Sequence, residues 1–190
     1  MSFYQREIKL LRKFKHENVI TLIDVYCKVE DGSGCTGVFP WFESIEDHPI
    51  TWVYEDGSRK DLKVNILKFY LVFQYCPWTL QGLLDQSEGK KFTIDRAHYF
   101  FVQLMNGLYY LHAKSVIHRD IKPGNMLITQ GKVLNISDFG VAEQFDIYSN
   151  QKMKTSVFAG THQFLSPEIT SGAEEYDGEK GKKQTNLIIS

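Results

Sequence analysis

Apolar positions recur at helical intervals in two stretches of the chain. In residues 3–15, Tyr4, Ile8 and Leu11 share one face while Arg6, Lys9, Arg12, Lys13 and Lys15 fall around it, which predicts an amphipathic helix with a solvated charged side. Farther on, Ala97, Phe101, Leu104, Leu108 and Leu111 step by 4, 3, 4 and 3, predicting a long helix with one buried stripe and Thr93 as its N-cap. Runs rich in β-branched and aromatic residues at 19–26 and 68–75 predict strands. Two shorter strands, 126–129 and 133–137, are joined at Gln130-Gly131.

The stretch at about 27–67 has a different character. It opens on a turn-rich loop from Glu30 to Gly37, and residues 50–53 and 62–66 read as a hairpin around Asp56-Gly57. It has the look of an insertion, with no chemistry legible in it. Residues 181–190 lack periodicity and read as a frayed tail. No internal repeat is present.

Composition narrows the class. Of 190 residues, 43% are hydrophobic and 24% charged, which is ordinary globular usage and not that of a disordered or coiled-coil chain. A net charge of -1 provides no bulk field to recruit nucleic acid or an anionic membrane, so neither is expected as a partner. Cys27, Cys35 and Cys76 are odd in number and form no CxxC pair, which disfavours a disulfide framework or a structural zinc site. No apolar run approaches the ~18 residues of a membrane span. The basic residues near the N-terminus interrupt any signal-peptide pattern. A soluble protein of the cytoplasm or nucleus is the expectation.

The chemistry is concentrated between Val116 and Gly140. His118-Arg119-Asp120-Ile-Lys122-Pro-Gly-Asn125 is followed, after the two short strands, by Asp138-Phe139-Gly140. Taken singly, His118 reads as a packed core histidine, and an isolated Asp or Asn in a loop as a turn former. Their joint order and spacing, after a long helix, outweigh those readings. The segment resembles the catalytic loop and magnesium loop of serine/threonine protein kinases. Glu7, in Arg-Glu-Ile, matches the helix glutamate of that family. Leu71-Val-Phe-Gln-Tyr-Cys76 matches the strand entering its hinge, and Ser166-Pro167-Glu168 the end of its activation segment. Within the kinases the likeness is to the PAR-four type that acts upstream of the AMP-activated kinase family, carried by residues 120–125, 136–143 and Gly160-Thr161.

The resemblance implies an α+β, bilobal, incomplete kinase fold. Residues 1–76 would be a partial N-lobe carrying the insertion, 77–180 a partial C-lobe, and 181–190 an unmatched tail. It implies ATP and Mg2+ as cofactors. Phosphoryl transfer is mostly positioning and charge stabilisation. Asp120 would accept the proton of a protein Ser or Thr hydroxyl, and Lys122 would neutralise the transferred group. Asn125 and Asp138 would give magnesium the hard oxygen ligands it prefers. The backbone at Gln74 and Cys76 would meet adenine above Leu127, with Phe73 as gatekeeper. His118, Phe139, Leu11 and Leu22 would pack as a spine. Arg119 would pair with a phosphate on Thr155 or Ser156, and Thr161 would belong to the substrate-facing loop.

Only six residues precede Glu7, so the family's Gly-rich phosphate loop and the lysine that clasps this glutamate, which stand ahead of it, are expected to be lacking here. The 190-residue chain is therefore expected to be a nearly inactive, poorly folding fragment of a kinase that phosphorylates other kinases. The alternative is a short isoform that occupies its parent's pseudokinase adaptor and scaffold partners.

Overall fold

The computed structural model describes residues 3–31, 36–40, 50–53, 57–62, 64–145, 154–155, 160–165 and 176–177. They belong to two compact units, Met1–Ile20 with Tyr75–Ser190, and Thr21–Gln74. Cys35, Ser156, Ser166 to Glu168 and the 181–190 tail lie outside the described residues.

Among the described residues the Thr21–Gln74 unit carries strands only: β1 (Leu22–Asp31), β2 (Thr36–Pro40), β3 (Ile50–Val53), β4 (Arg59–Leu62) and β5 (Val64–Phe73). An antiparallel sheet has the order β2-β1-β5, in a register that sets Tyr26 opposite Tyr70 and Cys27 opposite Phe69. Alternation turns Val25, Cys27 and Val29 to one buried face, with the Cys27 thiol serving as a small hydrophobe. Because that alternation continues past position 27, β1 runs to Asp31 and β5 begins at Val64, so both ends of the presumed insertion are sheet. The hairpin forms, but its second strand is Arg59–Leu62, paired Val53 to Arg59, and not 62–66.

The larger unit opens with α1 (Phe3–Leu11). The helix ends short of Lys15 because Lys13 and Phe14 bond back three residues, to Leu10 and Leu11, tightening its last turn. Val19 and Ile20 do not begin the expected strand. Ile20 donates to the Ile136 carbonyl and Ile136 donates to that of Asn18, both at 2.9 Å. After β6 (Trp78–Thr79) and the short α2 (Leu80–Asp85) comes α3 (Ile94–Ala113). Thr93 occupies its N-cap position with extended backbone, without a side-chain capping bond. Then follow β7 (Val116–Ile117), β8 (Met126–Ile128), β9 (Leu134–Ile136), β10 (Glu143–Gln144), β11 (Lys154–Thr155) and β12 (Tyr176–Asp177). The small sheets are β6-β8-β9, β7 with β10, and β11 with β12.

One apolar core ties these pieces together. Ile8, Leu11, Phe14, Leu108, Leu111 and Phe139 are buried. The Phe139 ring lies 4.9 Å from that of Phe14 and 5.0 Å from that of His118. Residues 16–20 pass so close to α3 that a Cβ at Gly107 would sit 2.8 Å from the Asn18 carbonyl oxygen, leaving room only for glycine. Asn18 secures the crossing by donating to the Leu134 carbonyl at 3.0 Å. The stripe on α3 is only half realised: Leu108 and Leu111 are buried, Phe101 and Leu104 half-buried, and Ala97 exposed. The upper half of the stripe, with Leu80, Leu84 and Phe164, lines an apolar cavity of 760 Å³. Among the described residues no helix is long and apolar enough to cross a membrane.

Candidate active site

The loop between β7 and β8 is shaped by its own side chains. The Asp120 amide donates to Nδ1 of His118 at 3.2 Å, so the opposite nitrogen, Nε2, carries the proton and donates to the Ser137 carbonyl at 2.8 Å. Burial lowers the His118 pKa and keeps this ring neutral. Ser137 in turn donates its amide and hydroxyl to the Asn125 carbonyl, at 3.0 and 2.8 Å. The residues just before Asp138 are thereby tied to both ends of the catalytic loop. Arg119 and Asp138 hold φ of +69° and +65°, a region that costs a non-glycine residue energy and is found where a site dictates it.

Asp120 lies at the centre. Its Oδ1 accepts from the Thr161 amide at 2.8 Å and from the Thr161 hydroxyl at 2.7 Å. Its Oδ2 meets Lys122 Nζ at 2.7 Å and accepts from Asn125 Nδ2 at 2.9 Å. Lys122 Nζ also donates to the Thr161 hydroxyl at 2.7 Å. Burial pushes the Asp120 carboxyl up, but bonds from Lys122, Thr161 and Asn125 together outweigh it and hold its pKa at about 2. Asp120, Lys122 and Asn125 are thus brought together, and Thr161 joins them as more than a loop residue.

A second group surrounds Gly140. A Cβ there would lie 3.4 Å from Asp138 Oδ1 and 4.0 Å from Glu7 Oε2. Burial raises the Glu7 pKa, and the Asp138 charge raises it further. Glu7 therefore faces an acid. Two hard-oxygen side chains, the exposed Asp138 carboxylate and the Asn125 amide oxygen, suit magnesium, which takes one or two protein ligands and fills its remaining positions with phosphate and water. Among the described residues no cluster of three His, Cys, Asp or Glu side chains is formed.

The nucleotide candidates are placed separately. Leu127 is half-buried on β8, opposite Asn135, and alternates with the buried Met126 and Ile128. Cys76 Sγ lies 3.8 Å from Asn135 Oδ1. Gln74 ends the smaller unit and donates its amide to the Thr21 carbonyl at 3.1 Å. The order Gly32-Ser-Gly34-Cys-Thr-Gly37 does spell Gly-x-Gly-x-x-Gly. It joins β1 to β2, after the helix that carries Glu7, and so does not occupy the family loop's place ahead of that glutamate.

Two contacts escaped the sequence reading. Arg119, expected to await a phosphate, already meets Glu143, its NH1 lying 2.8 Å from Oε2. Gly160, with φ of +117°, lies against the catalytic loop, where a Cβ would approach the Arg119 carbonyl oxygen to 2.5 Å. The Gly160-Thr161 pair was the only local signal for the second contact. Nothing local announced the first.

A catalytic loop of this geometry followed by Asp-Phe-Gly defines a protein kinase. Residues 2–181 match the protein kinase domain, and the chain belongs to that family. It is 34% identical over 177 residues to the serine/threonine-protein kinase STK11 of Homo sapiens, covering 93% of this chain and 32% of that protein. It is likewise 34% identical over 175 residues to the serine/threonine-protein kinase par-4 of Caenorhabditis elegans, covering 92% and 22%. Cyclin-dependent kinase 9 of Danio rerio is 34% identical over 172 residues, covering 90% and 38%. The fold is accordingly an α+β kinase domain, in part, and the chain spans about a third of the length of the first of these relatives.

Proposed function

We propose that the protein transfers the γ-phosphate of ATP to a Ser or Thr hydroxyl of a protein substrate, itself a kinase. Bound ATP supplies the electrophilic phosphorus, and bound magnesium offsets the phosphate charge. Asp120 orients the substrate hydroxyl and takes its proton at a carboxylate oxygen, ionised throughout the neutral range. Lys122 provides a positive charge that neutralises the phosphoryl group being transferred. Asn125 and Asp138 would hold the metal, and the backbone at Gln74 and Cys76, with Leu127, the adenine. The observation that carries this reading is Lys122 Nζ lying 2.7 Å from both Asp120 Oδ2 and the Thr161 hydroxyl. The test is magnesium-dependent transfer of radiolabelled phosphate from ATP to a basic protein. Asp120→Asn should cut the rate by about 10²-fold or more. A variant rate equal to wild type would remove Asp120 from the chemistry.

A second reading rests on Glu7, which faces Asp138 where the family glutamate clasps a lysine. These 190 residues alone would then be catalytically inactive and act by occupying the parent kinase's pseudokinase adaptor and scaffold, in the cytoplasm or nucleus. Pull-down of those partners by a catalytically silent chain supports it, and failure to bind them rejects it.

A further inference from the structure

The 760 Å³ cavity beside α3 is apolar on nearly every side. Leu80 and Leu84 of α2, Ile94, Phe101 and Leu104 of α3, and Phe164 form most of its wall. His98 and Lys122 are the only titratable residues among the described ones that line it. Ile94 is 87% exposed and Phe164 40%, so the wall is open where a folded chain would ordinarily cover it. Apolar surface left open on this scale marks a contact site. Ile121 and Lys122, next to Asp120, also belong to the wall, so whatever fills the cavity backs the catalytic loop.

The sequence holds a segment of matching chemistry. Beyond Leu165 it has one run of three consecutive aliphatic residues, Leu187-Ile188-Ile189. The ten residues ahead of it, Asp177 to Asn186, carry no hydrophobic side chain and suit a tether that stays in water. Fully extended, such a tether reaches about 33–36 Å, a span comparable with the roughly 30 Å length of a 20-residue helix such as α3. A short tether also holds its end at an effective concentration in the millimolar range. A second copy of the chain, or another protein at micromolar concentration, competes poorly with that.

We propose that Leu187-Ile188-Ile189 docks back into this cavity, so that the chain's own segment covers the open half of the α3 stripe and braces the catalytic loop at Ile121. The proposal concerns packing and not phosphoryl transfer, so it stands or falls apart from the kinase reading.

Two measurements on the full chain test it. Carboxypeptidase digestion followed by mass spectrometry reads the segment itself. Release of residues 187–190 from wild type should be about tenfold slower than from Leu104→Asp, whose carboxylate makes the cavity hostile to aliphatic side chains. Should Leu104→Asp not fold, Ala97→Phe, which fills the cavity from its exposed edge, should give the same fast release. Fluorescence of 8-anilinonaphthalene-1-sulfonate reads the cavity. It should be weak with wild type, rise severalfold in the double variant Ile188→Asp with Ile189→Asp, and stay weak in the tether variant Gln184→Ala. Release from wild type as fast as from the cavity variants overturns the proposal, as does dye binding that the double variant leaves unchanged. Protection that is lost on dilution also overturns it, by making a second copy the occupant.

Discussion

Thr161 places two donors on a single oxygen of Asp120: its amide at 2.8 Å and its hydroxyl at 2.7 Å both reach Oδ1. The hydroxyl also accepts from Lys122, so one side chain bridges the carboxylate and the cation. Removing that hydroxyl should loosen both. For Thr161→Val, the Asp120 carboxyl should titrate higher than in wild type, and phosphoryl transfer should fall by about tenfold or more. Side-chain carboxyl titration by NMR and the transfer assay check the two halves separately.

The low pKa of Asp120 has a thermodynamic consequence of definite sign. The folded value is about 2 against an ordinary 3.8, so the folded state holds the ionised form more tightly than the unfolded chain does. The resulting stabilisation is present above the unfolded pKa and is lost as pH falls through the folded one. The difference in unfolding free energy between wild type and Asp120→Asn should therefore shrink from pH 5 toward about pH 2. Denaturant titrations of both proteins across that range measure it, and a gap independent of pH would contradict the assignment.

Gly160→Ala should damage the site from outside it. The φ of +117° is open to glycine, and the new methyl would meet a backbone oxygen, Arg119 O, that has no flexible end to move aside. The expected result is loss of transfer activity with a cost of about 1–3 kcal/mol in stability, read from assay and melt together.

Leu111, near the end of α3, is fully buried. Leu111→Ala should lower stability by about 2–5 kcal/mol. Ala97→Ser, on the exposed half of the same stripe, should stay within about 0.5 kcal/mol. Chemical denaturation of the two variants side by side tests whether the stripe is as uneven as its burial indicates.

The two cysteines among the described residues should separate by reactivity. Burial raises both thiols, but Cys27 is wholly enclosed in its sheet while Cys76 is half-exposed. A maleimide at neutral pH should label Cys76 well before Cys27 in the native protein, and mass spectrometry of timed digests gives the order.

Much of this site was legible because its chemistry is written locally. His118 to Asn125 and Asp138 to Gly140 are short words whose internal hydrogen bonds, His118 to Asp120 and Asn125 to Asp120, span two and five residues. The period of α3 and the alternation in β1 are likewise properties of neighbouring residues, so the sequence carried them. What it did not carry depends on which segments meet. Val19 and Ile20 have strand composition, yet they bond to Ile136, far along the chain. The uneven burial of Ala97 and Leu111 follows from what packs on each end of α3, which periodicity cannot express. The Thr161 share of the low Asp120 pKa, the partner of Arg119 and the role of Thr161 arise from contacts 24 to 41 residues apart, since a charge is stabilised by whatever the fold places within a few ångströms of it. The sequence named the reacting groups, and tertiary packing decided which atoms hold them.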